Sequence, residues 1–132
     1  MAVVVGFIPT EVGFKALAAA REEAEQRGGP LIVVNVLRVG VTDDPRHAND
    51  QQLEIARDQL RRATVRVEFR QETTEDDIAD ILLDVVEKEK AQLLVLGVRR
   101  QQDLARHLLG LTVQKLLLSA DSEVLVDRKS VV

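Results

Sequence analysis

The 132-residue sequence predicts an α/β fold in which helices cover both faces of a single open sheet of five parallel strands. Four short runs are apolar at consecutive positions and rich in β-branched residues, which is typical of strands buried on both faces. A fifth run alternates between apolar and charged residues, and helical segments separate the strands. Because parallel strands need crossover connections, this order indicates right-handed βαβ units within one domain of residues 1–132.

The five predicted strands differ in how much of each is apolar. In residues 64–71 (TVRVEFRQ), Val65, Val67 and Phe69 alternate with charged side chains, which favours an edge position, where charge discourages pairing with another chain. The four apolar strands are residues 2–7 (AVVVGF), 31–37 (LIVVNVL), 93–97 (LLVLG) and 123–126 (EVLV).

The first two predicted helices lie after the first and second strands. Thr10 is placed to cap the first helix, and Gly28 and Gly29 end it after Arg27. The second helix, residues 49–63, is more polar, which predicts a helix on the surface. Its apolar positions are Leu53, Ile55, Ala56 and Leu60.

The third predicted helix has a capping signal at its start. Thr73 and Thr74 precede Asp76 and Asp77 by three residues, which is the spacing of a capping box, and an apolar stripe follows within residues 78–86. A fourth segment, residues 111–120, is rich in leucine and predicts a buried helix.

Composition and charge exclude several classes of function. The net charge of −4 comes from charges of both signs spread along the chain, and Trp, Tyr and Cys are absent, so we expect no nucleic-acid partner and no disulfide. No run reaches the roughly 20 apolar residues of a membrane span, and the first residues (MAVVVGF) lack the basic start of a signal peptide. We therefore expect a cytoplasmic protein with no membrane partner.

Residues 38–50 (RVGVTDDPRHAND) form the longest predicted loop. Asp43, Asp44, His47 and Asp50 are of types that bind metal ions, but their spacing matches no established ligand pattern, so the sequence predicts a solvated polar loop without a metal. Neither His47 nor His107 lies in a motif with a catalytic mechanism, and no catalytic residue is predicted.

The predicted ligand site lies beyond the carboxyl ends of the strands, where ligands of open α/β sheets bind. The loops at this edge are residues 7–10, the chain after Val36 and the chain after Gly97. Gly97, Gly110 and the turn after it have the elements of an anion site at a helix start, although the order of residues is neither a Walker loop nor GxGxxG. Two interpretations of Arg99 and Arg100 stay open: a solvated turn, or ligands of an anion.

Two long stretches give the sequence a resemblance to the universal stress protein family. The family's opening half is similar to the stretch VVVGFIPTEVGFKALAAAREEAEQRGGPLIVVNVL, and its closing half is similar to the stretch LLVLGVRRQQDLARHLLGLTVQKLLLSADSEVLV. The resemblance implies a five-stranded parallel sheet of the adenine-nucleotide alpha-hydrolase type. It also implies a homodimer paired through the last strand and a role in stress response. The family has members that bind ATP and members that do not, so the resemblance leaves ATP binding by this chain open.

The nucleotide-binding members have the motif glycine, two residues, glycine, nine residues, then glycine followed by Ser or Thr. Gly97 matches the first glycine and Gly110 the third, but Arg100 stands in place of the second glycine and Leu111 in place of the hydroxyl residue. Where the family's binders have an acidic residue near the adenosine, this chain has Ile8 and Pro9. The positions that the resemblance assigns to the site are Ile8, Pro9, Thr10, Val36, Gly97, Arg99, Arg100, Gly110, Leu111 and Thr112.

These departures lead to three hypotheses. The first is a homodimeric regulatory module with a degenerate site, which binds ATP weakly or not at all and could take AMP or another adenine nucleotide. The second is a dimeric scaffold for a protein partner, and the third is a slow ATP hydrolase. In the first, the Cβ of Arg100 obstructs a phosphate and Leu111 removes a donor. Thr10 serves first as a helix cap, and Thr112 is either a cap or a hydroxyl that bonds back to its own turn.

Overall fold

The chain folds into one parallel sheet with helices packed on it. The structure is a computed structural model that describes residues 2–39, 48–75 and 77–97, together with the backbone of residues 123–127. The strands are β1 (Val3–Gly6), β2 (Leu31–Arg38), β3 (Val67–Thr74), β4 (Leu93–Gly97) and β5 (Glu123–Asp127), and the helices are α1 (Glu11–Arg27), α2 (Asp50–Gln59) and α3 (Ile78–Glu89). The strand order is β3-β2-β1-β4-β5, and every neighbouring pair is parallel. The predicted α/β fold with a parallel sheet is confirmed.

The sheet divides the interior into two cores. Val3, Val5 and Leu31 lie in a cluster with buried residues of α1 and α2, whereas Val4 and Ile32 lie in a cluster with α3. This alternation follows from the two-residue period of a strand, and it explains why the central strands are apolar at consecutive positions.

The first helix begins and ends as predicted. The Thr10 hydroxyl accepts a hydrogen bond from the Gly13 main-chain N–H at 3.1 Å, which is the N-cap bond. At the other end Gly28 has a φ of 71°, the left-handed conformation that closes a helix.

The predicted second helix is too long at its carboxyl end. Asn49 and Gln52 form a capping box at its start, but the helix ends at Gln59, and residues 60–62 form a turn. Arg21 of α1 explains this end, because its guanidinium donates to the carbonyl oxygens of Gln59, at 3.5 Å, and Arg62, at 3.0 Å. The guanidinium thus binds the Gln59 carbonyl that a helix continued to Ala63 would have used itself, and the Ala63 N–H donates instead to the Leu60 carbonyl at 3.1 Å.

The capping box predicted at Thr73 and Thr74 is wrong. Both residues belong to β3, where they pair in register with Leu37 and Arg38, and the N-cap of α3 is Asp77, whose carboxylate accepts from the Ala79 N–H at 3.0 Å. Threonine is β-branched, so it extends the strand at no cost to the ladder. The predicted edge position of β3 is confirmed by the strand order.

Glu25 ties α1 to the connection before β3. Its carboxylate accepts from the Thr64 main-chain N–H at 2.8 Å, from the Thr64 hydroxyl at 3.2 Å and from Arg21 Nε at 3.3 Å. The main-chain bond from Thr64, helped by Arg21, lowers the pKa of Glu25 below its usual value of 4.5.

This lowered pKa predicts a pH-dependent stability difference between the wild type and Glu25→Gln. A carboxyl whose pKa is lower in the folded state stabilises the protein above its unfolded pKa, and that contribution is lost as the pH falls through the folded value. Urea denaturation should therefore show Glu25→Gln to be less stable at pH 7, with a difference that shrinks below the usual pKa of 4.5. Glu23→Gln, which loses an ion pair with Arg27 along the same helix, is the control for a simple ion pair. A Glu25→Gln deficit that stays constant down to pH 3 would contradict the assignment.

Several predicted features lie outside the described residues. They are the helix at residues 111–120, His107, and Asp43, Asp44 and His47 of the loop. Among the helices that the structure describes, none is long and apolar enough to cross a membrane.

Candidate functional site

The candidate site lies at the carboxyl edge of the sheet, where the strand order reverses. The chain leaves β1 toward β2 on one side, and β4 lies on the other side of β1. Gly6 at the end of β1 is in register with Val34 of β2 and Leu96 of β4, so the loops after β1 and β4 start side by side. A crevice between two such loops is where open α/β sheets bind ligands.

Gly97 ends β4 against the first turn of α1. A Cβ added at Gly97 would lie 2.7 Å from Val12 Cγ1 and 2.7 Å from the Val12 carbonyl oxygen, which are distances that real Cβ atoms do not adopt. The glycine thus allows the end of β4 to contact the helix main chain directly. Its packing role holds whether or not a ligand is bound.

The loop after β1 folds back onto the same helix turn. The Phe7 N–H donates to the Val34 carbonyl at 2.8 Å, and the Thr10 N–H donates to the Ile8 carbonyl at 2.8 Å. The Ile8 carbonyl oxygen lies against Gly13, where an added Cβ would come within 1.7 Å of it. Ile8, Pro9 and Thr10 are half-buried, so a short apolar loop covers the amino end of α1.

Thr10 and Glu11 supply polar side chains at the amino end of α1. The Thr10 hydroxyl is engaged as the cap of α1, as the cap interpretation predicts. Glu11 lies in the first turn and is paired with Lys15 at 3.2 Å; the Glu11 side chain is largely exposed and that of Lys15 partly so. A carboxylate in the first turn stabilises the helix dipole and offsets part of its attraction for another anion.

Val36 lies at the same edge but on the other side of the sheet. Its side chain is 5% exposed and belongs to the core that α3 covers, so it faces away from α1. Val36 is in register with Glu72 of β3. Only the main chain of Val36 is placed for contact with a ligand on the α1 side.

The structure therefore brings part of the predicted site together. Ile8, Pro9, Thr10 and Gly97 meet at the first turn of α1, and Val36 ends the neighbouring strand. The remaining predicted positions, which lie outside the described residues, are Arg99, Arg100, Gly110, Leu111 and Thr112. In the part of the chain that the structure describes, no group of His, Asp or Glu side chains could hold a metal ion.

Two determinants of this edge were missed by sequence reasoning. Asn35, buried within β2, donates from Nδ2 to the Phe7 carbonyl at 2.9 Å, and Gly13 admits the Ile8 carbonyl to the helix. The available signals were a single polar residue within an apolar strand and a glycine within a helical segment. Each is a local exception to its element, and such exceptions occur where a specific contact requires them.

Comparison with known proteins identifies relatives along nearly the whole chain. A model of the universal stress protein family matches residues 1–128. A universal stress protein of Mycolicibacterium smegmatis (strain ATCC 700084 / mc(2)155) is 31% identical over 123 residues, which cover 93% of this chain and 94% of the relative.

Solved structures of similar fold include two with a bound nucleotide. A universal stress protein in complex with cAMP has a TM-score of 0.78 and 22% identity, with 98% of each chain covered. The universal stress protein from Archaeoglobus fulgidus in complex with dAMP has a TM-score of 0.66 and 20% identity, with 95% of this chain and 94% of that chain covered. At these identities the likeness shows a shared fold.

Proposed function

Since the chain belongs to the universal stress protein family, we propose that it is a regulatory module with a degenerate adenine-nucleotide site, which binds ATP weakly or not at all. We further propose that residues 1–132 form a single domain that acts as a homodimer in the cytoplasm. The site comprises the loop after β1, the main chain at the end of β2 and the chain from Gly97 onward.

The observation that carries this proposal is the composition and packing of the loop after β1. Ile8 and Pro9 stand where the family's binders have an acidic residue, so this loop has no carboxylate to accept hydrogen bonds from a nucleoside. Pro9 also lacks a main-chain N–H, and the Ile8 carbonyl is already used by the Thr10 N–H. The adenosine side of the site therefore has fewer polar groups than the family pattern supplies.

The phosphate side is weakened by two substitutions in the motif. Arg100 stands in place of a glycine that lets a phosphate approach the main chain, and Leu111 stands in place of a hydroxyl donor. Arg99 and Arg100 supply positive charge that could compensate in part through charge-assisted hydrogen bonds. This balance favours a weak site over a fully lost one.

Calorimetric titration of the ligand-stripped protein with ATP, ADP, AMP and cAMP, with and without Mg²⁺, tests the proposal. The cAMP and dAMP complexes of structural relatives make the monophosphates necessary members of this set. We expect weak or undetectable binding of ATP by the wild type. Micromolar ATP affinity would contradict a degenerate site.

The double variant Arg100→Gly/Leu111→Ser is expected to raise the affinity for ATP by about ten- to a hundredfold, because it restores two contacts of roughly 1 kcal/mol each. Arg106→Gly/Leu109→Ser, with the same substitutions at positions that the family pattern does not assign, is the matched control. Equal gains in both variants would show that the motif is not the cause. No binding by any variant would favour the alternative function, a scaffold for protein partners.

The proposed homodimer rests on the position of β5. This strand forms one edge of the sheet and pairs with β4 on its inner side. A strand edge exposes main-chain donors and acceptors that a second copy can pair with. Light scattering should give twice the 14.7 kDa chain mass at micromolar concentration, and a mass of one chain would exclude the dimer.

A further inference from the structure

We propose that Asn35 is a positioning residue of the candidate nucleotide edge, whose carboxamide holds the loop after β1 in place and couples it to the residues that begin α2. The hydrogen bonds that Asn35 makes support this inference. Only its consequence for nucleotide binding rests on the proposed function. Its side chain is 1% exposed and lies on the α1 side of β2.

The first link joins Asn35 to the loop after β1. Its Nδ2 donates to the Phe7 carbonyl at 2.9 Å, and the Phe7 N–H donates to the Val34 carbonyl at 2.8 Å. Phe7 is therefore held to β2 through both its N–H and its carbonyl, and it directly precedes Ile8 and Pro9. The path of the loop over α1 begins at this fixed point.

The second link joins Asn35 to the start of α2. Its Oδ1 accepts from the Ala48 main-chain N–H at 3.1 Å and from Gln71 Nε2 at 3.1 Å, and Gln71 Nε2 also donates to the Ala48 carbonyl at 2.9 Å. Asn35 and Gln71 are partners in the register of β2 and β3. Ala48 is thus bound through both its N–H and its carbonyl, directly before the cap of α2 at Asn49.

The chemistry of these links requires an amide at position 35. The Phe7 carbonyl is only an acceptor and the Ala48 N–H is only a donor, so the side chain between them needs a donor and an acceptor. A carboxylate would set an oxygen against the Phe7 carbonyl, and leucine would leave both main-chain groups without this bond. The same amide therefore connects two segments that are distant in sequence.

Hydrogen exchange of the ligand-free protein tests the coupling without any nucleotide. Gln71→Ala removes the two bonds that Gln71 Nε2 donates, to Asn35 Oδ1 and to the Ala48 carbonyl. Because only one of them reaches Asn35, we expect the Phe7 and Thr10 amides to exchange about five- to tenfold faster, as for the loss of one side-chain hydrogen bond. Asn35→Asp should have a larger effect at the same amides. If Asn35→Asp does not fold, Gln71→Ala decides the question, because Gln71 is exposed on an edge strand.

Gln59→Ala is the matched control. It removes the bond from Gln59 Nε2 to the Phe14 carbonyl, which at 2.9 Å is as long as the bond from Gln71 Nε2 to the Ala48 carbonyl. Gln59 lies at the other end of α2. A merely structural role predicts similar losses of global stability and equal exchange at Phe7 and Thr10 in the two glutamine variants. That equality would overturn the proposal, whereas faster exchange only in Gln71→Ala supports it.

Titration with AMP separates this inference from the proposed function. If the wild type binds AMP, we expect Gln71→Ala to bind it at least about threefold more weakly and Gln59→Ala to bind it as the wild type does. Equal affinities for AMP in the wild type and Gln71→Ala would overturn the positioning role. If the wild type binds no nucleotide, the proposed binding function fails, and the exchange rates still decide whether Asn35 couples the two segments.

Discussion

Replacing Gly13 with alanine is expected to destabilise the protein by about 3 kcal/mol, because the new Cβ would lie 1.7 Å from the Ile8 carbonyl oxygen and 2.8 Å from its carbon. Gly13 lies in α1, and a change from glycine to alanine within a helix ordinarily stabilises it by about 1 kcal/mol. The structure therefore reverses the sign that helix propensity predicts. The obstructing atoms belong to the Ile8 main chain, so a change of side-chain rotamer cannot relieve the overlap.

Urea denaturation of Gly13→Ala and Gly28→Ala measures this effect against a matched control. Gly28 has a φ of 71° and no heavy atom within 4 Å of an added Cβ, so its replacement costs only the strain of the left-handed conformation, about 1 kcal/mol. Gly13→Ala should be the less stable of the two variants. A Gly13→Ala protein as stable as the wild type would show that the loop after β1 can leave the helix freely.

Replacing Gly97 with alanine is expected to cost about 2 kcal/mol in the absence of any nucleotide, because the added Cβ would lie 2.7 Å from two atoms of Val12. This result would separate two functions of the same glycine. A glycine kept only for phosphate approach would tolerate alanine in the ligand-free protein. A glycine kept for packing would not, and loss of nucleotide binding by Gly97→Ala would then report on folding as well as on phosphate contact.

The double variant Gly97→Ala/Val12→Ala identifies which atom obstructs. Removing Val12 Cγ1 eliminates one of the two short contacts, but the Val12 carbonyl oxygen remains at 2.7 Å. We therefore expect the second substitution to recover only part of the stability lost, relative to Val12→Ala alone. Full recovery would assign the conflict to the side chain and leave the main chain of β4 free to carry a Cβ.

Several features of the candidate site at the carboxyl edge of the sheet could be predicted from the sequence. The position of Gly97 at a strand end, the cap at Thr10 and the apolar loop at Ile8 and Pro9 are all visible in the sequence. The contacts of these residues are not, because each glycine is required by a main-chain group from another segment. The role of Asn35 was hidden for the same reason: its bonds reach Phe7 and Ala48, which lie in other elements.

By itself, the sequence determined the order in which the described strands and helices follow one another along the chain, and the edge position of β3. Consecutive apolar residues need cover on both faces of a strand and alternating ones do not, whatever elements supply that cover. Only the tertiary structure decided where α2 ends, which residue caps α3 and why Gly13 and Gly97 are glycines. These features depend on Arg21, on the pairing of β2 with β3 and on close contacts of the main chain. Such interactions join residues far apart in the chain, so no local pattern encodes them.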